Sequence, residues 1–363
     1  MIYDVVIIGA GASGLMCASS LKGKILVLEK NNSAGAKILV SGGGKCNFTN
    51  LNMDASHYYS TLSDRIPFIL ENWSVDDCLK LISSYNIKYE KKDKTKLFAE
   101  SAKKILSMLE NECKKNKVEF RFGVDIKDVL KIEDEFVVDI GQKIKAKNIV
   151  IASGGKSYSH LGASDFGLRF AKQFKLKLVQ NQPALVGLKY PNDFKFLSVL
   201  SGVSLPVRVK IKDKIFEDNL LFAHYGITGP VILNASLYVD VGDELEIDFL
   251  PFNSFKTMPK RVQKVFMDYF NIMQKDRVFS FLKQFKFPYI TSFGYDKAEV
   301  MRGGVSLSYL TENLENSKIN GMYFIGEVLD ITGELGGYNI HMAFATAKTV
   351  SKSINNKILS TKI

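Results

Sequence analysis

"YDVVIIGAGASGLMCASSLKGKILVLEK", residues 3–30, is the stretch that decides the fold. A short apolar run leads into a glycine-rich turn, a small-residue segment follows, and a second apolar run ends in an acid. This order predicts strand, turn, helix and parallel strand, which is one βαβ unit. Such a unit can hold a dinucleotide, but it does not decide between NAD(P) and FAD.

The glycine spacing Gly9-x-Gly11-x-x-Gly14 has a physical reason at each position. Gly9 permits the tight turn, Gly11 lets the backbone approach a pyrophosphate, and Gly14 lets helix and strand pack closely. Glu29 lies 20 residues after Gly9, at the end of the second predicted strand. Its carboxylate suits the ribose hydroxyls and would repel a 2′-phosphate, so the pattern predicts an adenosine site that disfavours NADP.

Two further glycine-rich stretches extend this prediction. "GAKILVSGGGKCN" (35–47) predicts a loop along the pyrophosphate and ribityl chain, with Lys37 and Lys45 placed to neutralise phosphate charge. Cys46 has no histidine near it in sequence, so we interpret it as a packed or cofactor-adjacent thiol. "IVIASGG" (149–155) predicts a buried strand whose end passes close to the nucleotide.

The far end of the chain decides between the two cofactors. "GMYFIGEVLDITGELGGYNIHMAF" (321–344) predicts a strand, a glycine loop and a final helix from about residue 341 to 355. Ligands of doubly wound sheets bind beyond the carboxyl ends of the strands, so two distant segments at one rim imply an elongated ligand. FAD fits, with its flavin at this C-terminal motif. The sequence has no second G-x-G-x-x-G, so NAD(P)H is expected only as a transient electron donor.

An inserted region separates the two parts of the cofactor domain. Residues 187–251 contain short β-like runs and turns, and residues 256–286 change to a basic amphipathic helical pattern. The predicted division is the FAD domain over 1–186 and 319–363, a β-barrel-like domain over 187–255 and 291–318, and a small helical insert over 256–290.

Composition limits the class of protein. The net charge is +11, but 42 of the 49 basic residues are scattered lysines, so a lysine-rich surface is favoured over a nucleic-acid site. Clusters such as "YEKKDKTK" (89–96) are interpreted as solvated loops. Four dispersed cysteines form no C-x-x-C or metal pattern, and the hydropathy pattern leads us to expect neither a membrane span nor a signal peptide. We therefore expect a cytoplasmic enzyme with no metal and no membrane partner; the oligomeric state stays open.

The motifs together resemble one family. "GAGASG", "GAKILVSGGGKCNFTN", "ASGGKSYSHLG", "QPALVGL", "LFAHYGITGP", "RGGVSL" and the C-terminal motif look like the successive motifs of the BaiN/YhiN-like flavoproteins, also described as aminoacetone oxidase-like NAD(P)/FAD-dependent oxidoreductases. The resemblance implies an α/β fold: a glutathione-reductase-like, Rossmann-type FAD domain split in sequence, with an inserted β-barrel and a small helical subdomain. Lys45 stands where the family usually has Arg, and His341-Met342 where it commonly has Gln-Trp. The second difference leaves the substrate open.

The motif matches imply which residues would bind FAD non-covalently. They lie on the N-terminal turn, the second strand end, the glycine loop, two later strand ends and the C-terminal motif: Gly9, Gly11, Ala12, Ser13, Gly14, Glu29, Lys30, Lys37, Ser41, Gly42, Gly43, Gly44, Lys45, Cys46, Asn47, Val124, Ala152, Ser153, Gly154, Gly326, Glu327, Asp330, Gly337, Asn339 and Ile340.

The leading hypothesis for the reaction is hydride transfer between flavin N5 and a small or medium organic substrate, with NAD(P)H as donor. The alternatives are an amine-type oxidase using O₂, a flavin-dependent RNA-modifying enzyme, and a non-catalytic flavin redox sensor. A contiguous basic face beside the flavin would favour the RNA enzyme. The candidates for direct catalytic roles are His224, Tyr225, Tyr338 and His341.

Overall fold

The computed structural model describes residues 2–252, 255–270 and 275–360. The chain divides into two compact units: the first contains the residues up to Gln182 and those from Met301 onward, and the second is Pro183–Val300. Within the described ranges, no helix is long and apolar enough to cross a membrane.

The strands run in chain order as follows: β1 Ile2–Ile8, β2 Ile25–Leu28, β3 Asn47–Asn50, β4 Tyr58–Tyr59, β5 Tyr89–Lys92, β6 Lys96–Ala99, β7 Glu119–Arg121, β8 Asp128–Ile132, β9 Glu135–Asp139, β10 Lys143–Ile151, β11 Leu178–Ala184, β12 Leu188–Lys189, β13 Ser204–Ile211, β14 Lys214–Phe222, β15 Gly226–Thr228, β16 Glu244–Asp248, β17 Phe285–Pro288, β18 Val300–Val305, β19 Met322–Phe324 and β20 Thr332–Gly333.

The helices are α1 Ala12–Ser20, α2 Ala36–Val40, α3 Ile66–Glu71, α4 Val75–Ser84, α5 Ala102–Lys115, α6 Phe166–Gln173, α7 Pro230–Ser236, α8 Lys260–Phe270, α9 Lys275–Lys283 and α10 Tyr338–Ser360. The last helix thus begins three residues before the predicted start and continues five residues beyond the predicted end.

The first unit is organised around a seven-stranded sheet in the order β7-β2-β1-β10-β9-β8, with β19 also paired to β10. Strands β7, β2, β1, β10 and β19 run in the same direction. Strand β9 pairs antiparallel with β10, and β8 pairs antiparallel with β9. The fully buried segments of the central strands, residues 5–8, 25–28 and 149–151, consist of Val, Ile and Leu because both faces of a parallel sheet are covered. The predicted βαβ unit is therefore confirmed.

The glycine turn packs as its spacing predicts. A methyl group added at Gly14 would lie 1.9 Å from the carbonyl oxygen of Gly9, so helix α1 lies directly on the end of β1. Gly9 has φ +107°, and a side chain there would lie 2.4 Å from the carbonyl oxygen of Ala152. By contrast, no described atom lies within 4 Å of a methyl group added at Gly11. Two of the three glycines serve packing, and the third faces open space.

The second unit contains a six-stranded antiparallel sheet in the order β12-β15-β14-β13-β16-β17. Strand β13 alternates exposed and buried residues, as expected for a sheet with one covered face. Leu188 of β12 also forms a bridge to Ser292, which follows β17. The bridge joins the first strand of the sheet to the chain that leaves its last strand. The predicted β-barrel itself stays a prediction, and residues 271–274 of the predicted helical insert lie outside the described residues.

The boundaries of the units differ from the predicted division. Residues 301–318, predicted with the insert, belong to the first unit. The physical reason is their backbone pairing: Ser306 N donates to Lys177 O, and Glu315 forms a bridge to Tyr323 of β19. The sequence pattern of short runs and turns could not reveal these long-range partners.

The two glycines of the turn make a matched pair for a stability test. Gly14→Ala should lower the free energy of unfolding by about 1–3 kcal/mol, because the added methyl group has no space. Gly11→Ala should change it by about 0.5 kcal/mol or less, since its methyl group would meet open space. Urea denaturation of both variants checks this. Equal stability of the two variants would contradict the packing role of Gly14.

Candidate functional site

The amino end of α1 is open toward a ligand. Gly11 precedes the helix in extended conformation, and no described side chain caps the helix there. The first N–H groups of a helix carry partial positive charge and bind anions such as a pyrophosphate. Ala12 and Ser13 stand in this first turn, with Ser13 buried. The turn therefore keeps donors available beside the space at Gly11.

Glu29 is fixed at the end of β2 by backbone donors. Ala10 N donates to Oε2 at 2.7 Å, and Asn31 N donates to Oε1 at 2.8 Å. Each carboxylate oxygen still has a further acceptor site, so the group can receive ribose hydroxyls without giving up these bonds. Val124 N donates to Glu29 O at 3.0 Å, which places Val124 beside the same strand end. Lys30 is exposed to solvent.

The glycine loop lies on the surface of the first unit. Gly42, Gly43 and Gly44 all have positive φ, at 55°, 66° and 85°, so only glycines adopt this turn without strain. Ser41 begins the turn, and its hydroxyl donates to Ile38 O at 2.6 Å. No described atom lies within 4 Å of a methyl group added at Gly43. The loop thus presents exposed backbone that a ligand can approach.

The polar and thiol residues after the three glycines have partners within the protein. Lys45 Nζ lies 2.8 Å from Glu90 Oε1. The Cys46 side chain is fully buried, and burial raises the pKa of its thiol to about 11. A methyl group added at Gly337 would lie 2.9 Å from Asn47 Oδ1, so the loop end contacts the C-terminal motif. Phosphate neutralisation by Lys45 stays a prediction.

Glu327 is an ion-pair partner of the glycine-loop region. Lys37 Nζ lies 2.6 Å from Glu327 Oε2, and Met301 N donates to Oε1 at 2.9 Å. Gly155 packs against the same carboxylate, since an added methyl group would lie 2.9 Å from Oε1. The Lys37–Glu327 ion pair is thus a side-chain link between the two ends of the predicted site.

Asp330 Oδ1 and Ser153 Oγ are two of the buried polar atoms that lack a hydrogen-bond partner among the described residues. Asp330 is 1% exposed; its Oδ2 accepts from Thr61 N at 2.9 Å and from Thr61 Oγ1 at 2.5 Å, while Oδ1 accepts nothing. Burial raises the pKa of Asp330, against the lowering effect of the Thr61 bonds and of the Arg302 charge. Ser153 Oγ is likewise buried and unpartnered. Buried polar atoms of this kind indicate a missing ligand or water.

Four segments that are distant in sequence meet around the amino end of α1 and the end of β10. A methyl group added at Gly326 would lie 2.5 Å from Ser13 Oγ, which joins the C-terminal motif to α1. Gly9 contacts Ala152, and Gly154 lies beside Glu327. The structure therefore brings together the N-terminal turn, the glycine loop, the end of β10 and the C-terminal motif. This arrangement matches an elongated ligand along the strand ends.

The C-terminal candidates lie at the start of α10. Tyr338 is buried and its hydroxyl donates to Asn52 O at 3.2 Å. The Asn339 side chain exchanges two hydrogen bonds of 2.8 Å with the backbone of Gly333, and Ile340 is half-buried. These bonds fix the loop before the helix. Tyr338 and Asn339 therefore hold in place the loop that precedes α10.

His341 is a satisfied core residue. It is fully buried, its Nδ1 lies 2.7 Å from Thr49 Oγ1, and its Nε2 lies 3.0 Å from Trp73 O. A carbonyl only accepts, so Nε2 carries the hydrogen and Nδ1 accepts from the threonine. Burial lowers the pKa of His341 to about 4. With both nitrogens engaged and no access to solvent, His341 is assigned a structural role in place of the hypothesised catalytic one.

The other two catalytic candidates lie in the second unit. His224 and Tyr225 occupy the turn between β14 and β15, with ring centroids 6.1 Å apart. Tyr225 is 78% exposed in that unit. Their catalytic role stays a prediction.

A histidine that the sequence analysis missed lies beside the C-terminal loop. His57 Nδ1 is 2.8 Å from Glu334 Oε2, and its Nε2 is 2.9 Å from Asn52 Nδ2. Its ring stacks on Tyr338 with centroids 4.6 Å apart. The His57 side chain is 23% exposed, so solvent reaches the histidine while Glu334 holds its orientation. The only sequence signal was a histidine soon after the glycine loop.

The low pKa of His341 makes stability depend on pH. Between about pH 6.5 and 4 the unfolded chain binds a proton at this residue that the folded chain does not. Its contribution is fully present above pH 6.5 and is lost as the pH falls through this window. His341→Gln should be less stable at pH 7.5 but show a shallower decline toward pH 4, as measured by urea denaturation. Parallel pH profiles would contradict the assignment.

Comparison with known proteins gives the relationships of the chain. It is 33% identical over 97% of its length to a ribosomal RNA dihydrouridine synthase of Haemophilus influenzae, of which the match covers 98%. It is 27% identical over 94% of its length to a 3-dehydro-bile acid delta(4,6)-reductase of Clostridium scindens, with 96% of that protein covered. The fold is similar to the Escherichia coli quinol fumarate reductase subunit FrdA, with TM-score 0.57, 13% identity and coverage of 99% of this chain and 71% of that one.

A family model also matches almost the whole chain. The model described as "HI0933-like protein Rossmann domain" matches residues 3–353. This range includes the N-terminal turn, the glycine loop and the C-terminal motif, and it confirms both the Rossmann-type fold and the resemblance drawn from the motifs. The chain belongs to the HI0933-like Rossmann family, the flavoprotein family of the YhiN and BaiN type.

Proposed function

We propose that this chain is an FAD-dependent reductase that saturates a C=C bond conjugated to a carbonyl group, with uridine in ribosomal RNA as its substrate. The observation that carries this proposal is the 33% identity, over 97% of the chain, to a ribosomal RNA dihydrouridine synthase. Dihydrouridine is uridine with hydrogen added across C5=C6, a bond conjugated to the C4 carbonyl. The bile acid reductase relative, by its name, also acts beside an oxo group.

The residues at the meeting of the four segments fit FAD. The uncapped amino end of α1 and the open space at Gly11 suit the pyrophosphate. Glu29 retains acceptor sites for the adenosine ribose. The unpartnered Asp330 Oδ1 is a buried polar atom that suits a hydroxyl group of the ligand. When bound, FAD would supply hydride at N5, and a reduced nicotinamide, which we propose binds transiently, would supply the hydride that reduces the flavin again.

The chain itself must supply a proton to the carbon beside the carbonyl. The four cysteines are buried, and burial raises the pKa of Cys78 to about 12, so their thiols are not available. His341 is buried with both nitrogens engaged. Both nitrogens of His57 also have partners, Glu334 at Nδ1 and Asn52 at Nε2, but its side chain is 23% exposed, so a substrate can reach the ring as it cannot reach His341. We infer that His57 is the proton carrier.

The proposal is tested with ribosomal RNA from cells that lack this gene. The purified yellow protein with NADH or NADPH, under anaerobic conditions, should form dihydrouridine, detected by mass spectrometry of the digested RNA. The matched control is Gly11→Ala, which should fold but retain less FAD and form correspondingly less product.

Each alternative gives a different result. Reduction of a 3-oxo-Δ4 steroid with untouched RNA would replace RNA by a small-molecule substrate. Bleaching of the flavin by amines, but by neither nicotinamide, would indicate the oxidase. Bleaching by dithionite alone would indicate the redox sensor. A colourless protein that takes up no FAD would overturn the proposal entirely.

The His57 inference has its own test. His57→Gln should slow single-turnover formation of dihydrouridine by on the order of 100-fold, since general acid catalysis contributes roughly that much. The FAD content and the rate of flavin reduction by nicotinamide should be unchanged. Glu334→Gln should have a smaller effect because the imidazole itself remains. An unchanged product rate in His57→Gln would exclude this histidine as the proton carrier.

A further inference from the structure

An exposed basic hairpin lies beside the glycine loop. We use "basic hairpin" for residues 88–96, which contain five lysines and two acids, and which include β5, its turn and the start of β6. Asp93 and Lys94 form the turn with φ of 48° and 67°, so the tip projects a lysine at a position where non-glycine residues are uncommon. Strand β5 is the edge of the three-stranded sheet β3-β6-β5.

The ion pairs of this region leave part of the positive charge free. Lys45 and Lys92 share the single carboxylate of Glu90, at 2.8 and 3.3 Å, and Lys96 lies 3.0 Å from Asp93. The remaining lysines of the hairpin form no ion pair among the described residues; these are Lys88, Lys91 and Lys94, all exposed. The basic hairpin therefore presents a net positive surface to solvent.

An aromatic side chain stands among these lysines. Tyr89 is 44% exposed and contacts Phe48 edge to face, with ring centroids 5.9 Å apart. A ring that is fixed by a buried neighbour and open to solvent can stack with a base, while neighbouring lysines contact phosphates. Lysines alone would serve to protect the edge of a sheet, but they do not explain an exposed aromatic ring beside them.

One ion pair and the continuation of β6 connect the basic hairpin to the predicted cofactor loop. Lys45 Nζ of the loop lies 2.8 Å from Glu90 Oε1 of the hairpin, and Ala99 N, further along β6, donates to Cys46 O at 3.1 Å. A methyl group added at Gly42 would lie 3.0 Å from the Phe98 ring. The hairpin is thus part of the same local structure as the loop that we expect along FAD.

We propose that the basic hairpin is an RNA-contacting surface, on which Lys88, Lys91 and Lys94 bind phosphates and Tyr89 stacks with an unpaired base. The proposal rests on the proposed function, since it places the polynucleotide partner next to the expected cofactor. The chemistry that favours RNA over another anionic partner is the combination of unpaired lysines with an exposed ring. Residues 89–96 are therefore more than the solvated loop that composition indicated.

The test measures binding of a 20-nucleotide oligouridine by fluorescence anisotropy between 50 and 300 mM KCl. For single strands, the slope of log K against log[salt] is about −0.7 for each phosphate contact, so K88Q/K91Q/K94Q should reduce its magnitude by about 2. Affinity at 100 mM KCl should fall on the order of 10-fold. The FAD content should match that of the wild type.

The matched control removes the same charge elsewhere. Lys256, Lys260 and Lys264 are exposed in the second unit, on and just before α8, and K256Q/K260Q/K264Q should leave the salt slope unchanged. If both triple variants lose the same oligouridine affinity, the effect is one of net charge and the proposed RNA surface is wrong. The proposal is also wrong if K88Q/K91Q/K94Q loses as much affinity for vesicles containing phosphatidylserine as for oligouridine, because the hairpin would then bind any anion.

Tyr89 separates stacking from charge. Tyr89→Ala should weaken oligouridine binding by about 5-fold or more with an unchanged salt slope, and Tyr89→Phe should restore it. If the wild type forms dihydrouridine while the hairpin variants bind RNA as it does, the surface is wrong and the proposed function stands. If the wild type neither binds oligouridine nor modifies RNA, the proposed function itself fails.

Discussion

The contact on which the site depends is the close approach of Gly14 to the carbonyl of Gly9. It sets helix α1 directly on the end of β1, and Gly9 in turn lies against Ala152 at the end of β10. Because neither position has room for a side chain, the amino end of the helix and two parallel strand ends are held at one place. Gly326, from the other end of the chain, packs against Ser13 in the same helix. A side chain at Gly14 would move the helix and with it every group that the helix positions.

The acidic side chains around the strand ends are mostly neutralised or hydrogen-bonded by other groups of the protein. Lys37 neutralises Glu327, two backbone N–H groups hold Glu29, and Thr61 binds one oxygen of Asp330. These bonds fix the side chains before any ligand arrives, which lowers the cost of ordering them on binding. The groups that remain without a partner among the described residues include the amino end of α1, beside the space at Gly11, and one oxygen of Asp330. The side chains around them are therefore ordered before a ligand binds.

Local patterns allowed much of the fold to be predicted. The βαβ start follows from apolar runs and a glycine spacing whose residues lie close together in sequence. The convergence of the two chain ends followed from a topological rule, that ligands of such sheets bind at the strand ends.

The partners of individual side chains could not be predicted in the same way. Lys37 and Glu327 are 290 residues apart, and no local pattern pairs them. His341 was a catalytic candidate because it lies in the motif expected at the flavin, yet tertiary packing against Thr49 and Trp73 buries it. His57 was missed because its significance depends on Glu334, which lies 277 residues away. Secondary structure is a local property, whereas the chemical role of a polar residue depends on neighbours that only folding brings together.

The burial of all four thiols protects the protein against oxidation in air. Reduced flavins that meet O₂ release hydrogen peroxide, and peroxide attacks exposed thiolates. Cys17, Cys46, Cys78 and Cys113 are enclosed and remain protonated at neutral pH, because burial raises the pKa of each. A flavoprotein built in this way does not inactivate itself through sulfenic acids or intermolecular disulfides when its electrons leak. Air-exposed preparations should accordingly keep their free thiol content without added reductant.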